Sequence, residues 1–396
     1  MLAGPGRLRT GITVAGVLLV AAGTQVIPTL SLPPVTVATV AGALPGVPFD
    51  ARIEANLERV AAAIVGADPE HARVFQSILD RGRQLLHFDP DANHGRGSWA
   101  ELIGTIDERT EAVGILVPGS AAYILDENFE KYYQRASDLV EASNGRLAMV
   151  IWAAGTFPKG WLQGAMTRYR GPLGRALAIF SQELRAEIER RLGPDSGVRL
   201  VVAGHSFGGA VVGTAERYGL DADVVFHIAS AGVGDARDPY DYPDPTRPRY
   251  SITAPGDLIG FVQGLPAPPG LGHGADPDTF RCVTRLPTGH LPADPTALDE
   301  LGRPLGDRAG DEIGGISSHS DVFIKHSDAW WQIYRVFTGT APPPQPCPPP
   351  DEHEPVKARV LPLAVPRVVT GSQCRAGGGL RPGGRHRGRS GAVAIQ

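Results

Sequence analysis

Ser206 sits in the pentapeptide Gly204-His205-Ser206-Phe207-Gly208, with a glycine two residues away on either side. A serine flanked in this way is suited to nucleophilic attack, because a turn sharp enough to push the hydroxyl out of the chain leaves no room for side chains at those two positions. In a chain with 50 glycines the pentapeptide is weak by itself. Its setting carries more weight. The apolar run Val198–Ala203 (VRLVVA) leads into it, and Gly209–Arg217 (GAVVGTAER), closed by Gly219, leads away. Strand, sharp turn and helix in that order expose the hydroxyl and aim the first N–H groups of the helix at a developing oxyanion. The bland alternative is a glycine-rich strand-to-helix turn whose serine is incidental.

A hydroxyl is a poor nucleophile until a base takes its proton, and that base needs a carboxylate to orient it. After an elbow of this type the acid and then the histidine follow along the chain. Asp257, in Ala254-Pro255-Gly256-Asp257 just past the run RYSITA, is the expected acid, with Asp276 as the alternative. A plain turn aspartate is the competing reading of Asp257. His273, His290, His319 and His326 all follow it. His319, in a polar loop before the last helix, is the expected base, and His290, at the end of FRCVTRLPTG, is its competitor. His205 is the variable residue of the elbow, and His227 lies inside an apolar strand, so neither is assigned a role. The expected oxyanion donors are the backbone N–H of Phe207 and one from the loop after VGILV, at Ser120 or else Ala121.

The elements that must hold these residues alternate. Val113–Val117, Leu147–Trp152, Val198–Ala203, Asp223–Ala229 and Tyr250–Ala254 read as short buried strands, and Phe280–Leu286 as a weaker one. Leu173, Leu177, Phe180, Leu184 and Ile188 recur at helical spacing and predict a helix ending near Gly193. Another helix is expected over Asp328–Phe337. Near-continuous apolar strands separated by helices predict an α/β fold with a mostly parallel sheet covered on both faces. Residues 50–112 read as a helical segment packing on a catalytic domain at 113–340. An insertion over about 261–318 lies between acid and histidine and is longer than most connections, which predicts a lid over the serine. Leu258, Ile259, Phe261 and Val262 would then form an apolar wall above Phe207, and shortening Pro292–Gly310 would alter acyl-chain preference.

The two ends differ from the middle. Arg7 and Arg9 precede an uncharged stretch from Thr10 to Phe49 that contains the apolar run Ile12–Gly23, so residues 1–49 are expected to be a signal peptide or a membrane anchor that exports the rest. Residues 341–396 begin APPPQPCPPP and end Gly- and Arg-rich, which predicts an extended or disordered tail outside the fold. Cys282, Cys347 and Cys374 are far apart, so no disulfide framework is expected. A net charge of −4 and the absence of a basic aromatic surface argue against a nucleic-acid partner. Asp89-Pro90-Asp91-Ala92-Asn93 starts like a calcium loop, but glycine comes one place late and Ala100 stands where a bidentate glutamate belongs. No zinc signature or phosphate loop occurs, and no metal or cofactor is expected.

With those motifs in place, Val113–Gly339 resembles an actinobacterial, mycobacterial-type family of α/β-hydrolase fold long catalogued as a domain of unknown function. The matching pieces are VPGS at Val117–Ser120, GHSFGG at Gly204–Gly209 with the helix before it, APGDLI at Ala254–Ile259, and HSDVF at His319–Phe323 with the helix that ends VFTG. The match spans somewhat more than half the chain and departs from the pattern in the polar insertion between Leu286 and Ser318. It implies a serine-hydrolase site of Ser206, Asp257 and His319 and favours His319 over His290. The expected activity is cleavage of a small-molecule, lipid or cell-envelope acyl ester. The alternative is a catalytically silent binding or scaffold protein of the same fold.

Overall fold

The apolar runs become strands of one sheet. A computed structural model describes residues 46–349, apart from Val262, Leu265 and Pro266. The chain opens with helices α1 (Phe49–Ile64) and α2 (Pro69–Asp80), then forms strand β1 (Gln84–Asp89), the single turn α3 (Ala92–Gly95) and β2 (Ser98–Ile103). There follow β3 (Ala112–Val117), α4 (Glu127–Ala142), β4 (Leu147–Ala153), the short α5 (Gly160–Gly164) and α6 (Arg170–Leu192). The second half has β5 (Arg199–His205), α7 (Phe207–Glu216), β6 (Val224–Ile228), β7 (Arg249–Ile252), β8 (Val283–Arg285) and α8 (Asp328–Thr338). The sheet order is β1-β2-β4-β3-β5-β6-β7-β8. Among the described residues only β2 runs against its neighbours, and every pairing from β4 to β8 is parallel.

Every residue of β3, β4 and β6 is buried, which requires cover on both faces. On one side α1 packs on α6 through stacked Phe49 and Phe180 and an Arg52–Glu183 ion pair of 2.8 Å, and α6 packs on α7. On the other, α8 meets α4, where Lys325, just before α8, reaches Asp138 and Glu141 at about 3 Å. Gly114 of β3 is small for a reason. A Cβ there would collide with Met149 and the ring of Phe337 in α8.

Two expectations about the ends of the domain are corrected. Residues 50–112 are not wholly helical, because β1 and β2 form an antiparallel pair that joins the sheet beside β4. Their polar residues conceal them. Glu101 in β2 is fully buried against Arg83, with Nε 2.6 Å from Oε1, and His87 meets Ser98 at 2.9 Å. The proline-rich stretch also belongs to the fold as far as Pro349. Cys282 and Cys347 form a disulfide with Cα atoms 5.1 Å apart. The Pro342 carbonyl accepts from Tyr250 Oη at 2.7 Å, and the Pro348 carbonyl accepts from Arg281 at 2.9 Å. Gln345, one of the few residues there with an amide hydrogen, donates to Thr284 Oγ1 of β8 at 2.6 Å. A proline-rich stretch with few N–H groups can still be held by its carbonyls, and this one is fastened beside β8 at Gln345 and Cys347. The apolar N-terminal run, Val262, Cys374 and the Gly/Arg-rich end lie outside the described residues.

Candidate active site

Ser206 joins β5 to α7 and has φ 57° and ψ −125°, a conformation that side chains other than hydrogen rarely tolerate. Hydrogen bonds hold it there. Its N–H donates to Ile228 O at 3.0 Å, and its carbonyl accepts from Gly209 at 3.1 Å and Ala231 at 2.9 Å. The flanking glycines are sterically required. A Cβ on Gly204 would strike the Gly208 carbonyl, and one on Gly208 would strike the backbone of Val117 and Pro118. The loop after β3 therefore passes directly beside the serine, and a Cβ on Gly119 would lie 3.0 Å from Ser206 Cβ and 3.4 Å from its Oγ.

Asp257 follows β7 and is fully buried, with Oδ1 accepting from the Ile259 amide at 2.9 Å. Its Oδ2 accepts from His319 Nδ1 at 2.8 Å, so the expected acid and base are brought together. His319 Nε2 is buried and has no hydrogen-bond partner among the described residues. The alternatives lie elsewhere. Asp276 accepts from the Asp278 amide at 2.8 Å in its own turn. His290 is largely exposed at the start of α8, 3.5 Å from Asp328. His326 stacks near Trp330 and Trp331. His273 comes nearer, with its ring edge-on to Phe207 at 5.5 Å and Nε2 donating to the Gly164 carbonyl, and burial lowers its pKa to about 4.

The backbone donors sort themselves in the same way. The Gly119 amide donates to Tyr132 Oη at 2.8 Å and the Ala121 amide to Pro158 O at 2.8 Å. Between them, the Ser120 amide has no acceptor among the described residues. Phe207 is the first residue of α7, where an N–H has no carbonyl one turn behind it.

Three neighbours carry no local sequence signal. Trp161 of α5 is 59% exposed with its ring 5.6 Å from that of His319, and Leu162 beside it is 82% exposed. Tyr132 of α4 is buried, and its hydroxyl lies 2.6 Å from His205 Nδ1. The chain stretch that approaches Phe207 and α5 is 267–275, through His273, the Thr167 amide to Gly270 O at 3.0 Å and the Gly272 amide to Ala165 O at 2.9 Å. Pro292–Gly310 instead closes on itself, Gly310 N–H to Pro292 O at 2.9 Å, and fastens to α4 through Glu300 and Arg135 at 3.1 Å. Of the expected wall, Ile259 is buried with Ala229 and Ala231, and Leu258 is partly exposed.

Among the described strands only the second is antiparallel, and the serine stands on the turn after the fifth. The chain has the α/β-hydrolase fold. Solved structures with this fold match it at low identity. A lidless α/β serine hydrolase from Xanthomonas campestris is 16% identical over 52% of this chain and 84% of its own, with a TM-score of 0.29. A dienelactone hydrolase-like promiscuous phosphotriesterase from metagenomic libraries is 13% identical over 63% and 95%, with a TM-score of 0.34. A dienelactone hydrolase from Anabaena variabilis is 14% identical over 43% and 73%, with a TM-score of 0.24. No family model matches the sequence, and no curated protein matches it.

Proposed function

We propose that this α/β-hydrolase-fold chain is a serine hydrolase that cleaves a carboxylic ester through Ser206, His319 and Asp257. The observation that carries this reading is the buried, unpartnered Nε2 of a histidine whose other nitrogen is held by Asp257. Ser206 Oγ attacks the ester carbonyl while His319 Nε2 takes its proton, and Asp257 stabilises the imidazolium that forms. The amides of Phe207 and Ser120 receive the oxyanion. His319 then protonates the leaving alcohol, and water, deprotonated by the same nitrogen, releases the acid from the acyl-serine.

The substrate class is read from the surroundings. Trp161 and Leu162 leave large apolar surface open beside His319, as an acyl chain requires, which favours a lipid or envelope ester over a charged one. Export is supported by Arg7 and Arg9 before an apolar run and by the Cys282–Cys347 disulfide, a bond that persists in oxidising compartments. Membership of the actinobacterial family rests on the motifs VPGS, GHSFGG, APGDLI and HSDVF. A silent scaffold would have no use for both a serine held in strained backbone and a histidine held by a buried carboxylate with its other nitrogen unbonded.

The test is labelling with a fluorophosphonate. Parent protein should form a covalent adduct on Ser206 and hydrolyse p-nitrophenyl esters, and Ser206→Ala should lose both, with the rate down about a thousandfold or more. An alanine variant with the parent's rate excludes Ser206 as nucleophile.

A further inference from the structure

His205 occupies the variable position of the elbow, yet it is the centre of a buried chain of hydrogen bonds. The Gly119 amide donates to Tyr132 Oη at 2.8 Å, and Tyr132 Oη lies 2.6 Å from His205 Nδ1. His205 Nε2 lies 3.3 Å from the backbone carbonyl of His319. Proton counting fixes the directions. The His319 carbonyl can only accept, so a neutral His205 carries its ring proton on Nε2 and donates it there. Nδ1 is then the acceptor and takes the Tyr132 O–H, while the phenol oxygen accepts from the Gly119 amide. Burial keeps His205 neutral, with the neighbouring His319 and Arg135 adding to the effect. Packing fixes the ring further, with Phe323 edge-on at 5.1 Å and the His319 ring at 4.8 Å, while Arg135 stacks over both Tyr132 and Phe323.

We infer that Tyr132 and His205 are positioning residues that lock the oxyanion loop to the loop of the base. One end of the relay holds Gly119, whose neighbour Ser120 offers the free amide, and the other holds the main chain of His319 itself. His205 is also covalently next to the nucleophile, so three separate segments are set relative to one another by one neutral imidazole. Such a link acts on the transition state, because donor and base must sit within a fraction of an ångström of their reacting atoms when charge develops. Substrate binding needs no such accuracy.

The inference rests on Ser206 and His319 acting as nucleophile and base, and the experiment separates the two. It is a double-mutant cycle in the full-length protein on Tyr132→Phe and His205→Gln, with kcat and KM on a soluble p-nitrophenyl ester. Phenylalanine removes the hydroxyl, and glutamine keeps an N–H that can reach the His319 carbonyl but has no acceptor in the Nδ1 position. Each single variant should lower kcat by about tenfold to a hundredfold with KM within about a factor of three. The double variant should be no slower than the slower single, since both changes cut one link. Losses that multiply, or Tyr132→Phe at the parental kcat, overturn the relay. If Tyr132→Phe does not fold, His205→Gln and His205→Asn decide, since asparagine keeps the acceptor and gives up the donor. Both must lower kcat at steady KM, and either one at the parental rate rejects the proposal. An active Ser206→Ala would remove the nucleophile reading beneath it, whereas an inert Ser206→Ala with multiplying losses removes the relay alone.

Discussion

His319 Nδ1 lies 2.8 Å from Asp257 Oδ2, and the opposite nitrogen of the same ring is buried without a partner among the described residues. A desolvated imidazole nitrogen left unbonded is costly, so its orientation is set by the held side of the ring. The carboxylate can only accept, which puts the proton on Nδ1 and leaves Nε2 free to take one.

That relation makes Asp257→Asn the sharpest test of the acid. An amide of the same shape can donate to Nδ1, which moves the ring proton to Nε2 and abolishes its basicity. The rate of ester hydrolysis should fall by about a thousandfold or more while the fold persists. A variant within tenfold of the parent would show that Asp257 only closes its turn.

The elbow predicts that strain at Ser206 shows in stability. Ser206 is held at φ 57°, where glycine is unstrained and alanine is not. Ser206→Gly should therefore unfold at higher denaturant than Ser206→Ala, by about 1 kcal/mol, and both should be inactive. Equal midpoints would mean that the turn stores no strain.

How far the sequence discloses such features depends on where their partners lie. β3 to β7 are legible because strands buried on both faces must be apolar throughout. The sharp turn at Ser206 is legible from its flanking glycines and its setting, and the contact of Asp257 with His319 is one of the acid–histidine pairings that the sequence offers. β1 and β2 are hidden because Glu101 looks like a surface residue until Arg83 is seen beside it. Tyr132 is hidden for the same reason, since it reaches across 73 positions to His205. The disulfide closes over 65 residues, a distance at which spacing says nothing about pairing. The long insertion reads as a lid because of its length, yet its tip is tied to α4 by Glu300 and Arg135, and only the part near His273 approaches Phe207.

Under the proposed ester hydrolysis, acyl-chain selection is expected to fall to α5. Trp161→Ala removes an exposed indole next to the His319 ring. If it packs against one or two methylenes, each worth about 0.8 kcal/mol, kcat/KM for decanoate esters should drop about tenfold, with acetate esters within about twofold of the parent. An equal change across the series would exclude Trp161 from the chain-binding surface.

The strap carries a stability prediction. The Cys282–Cys347 bond closes a 65-residue separation and ties residues 342–348 to the edge of the sheet at Tyr250 of β7, at Thr284 of β8 and at Arg281 just before it. Its loss, by dithiothreitol or Cys282→Ser, should destabilise the domain by about 4 kcal/mol on loop-entropy grounds. Fluorophosphonate labelling of Ser206 at low temperature should continue, because the bond lies at the far edge strand. A melting temperature indifferent to reductant contradicts this.

Acid should weaken the fold through its buried histidines. His227, under no hydrogen bond at either nitrogen, has its pKa lowered to about 3 by burial and then by Arg249, and burial lowers His87 to about 4. In the unfolded chain these groups titrate near 6.5. Above pH 6.5 they are neutral in both states and cost nothing. As pH falls below 6.5 the unfolded chain takes up protons that the folded one refuses, so stability drops through the window down to about 4 for His87 and about 3 for His227. Between pH 7 and about pH 4.5 the His227 contribution alone is on the order of 2 kcal/mol. His227→Leu removes that proton site at similar volume and should flatten the fall in urea midpoint by this amount. A leucine variant that loses as much stability as the parent over the same pH range would show that His227 takes up its proton equally in both states.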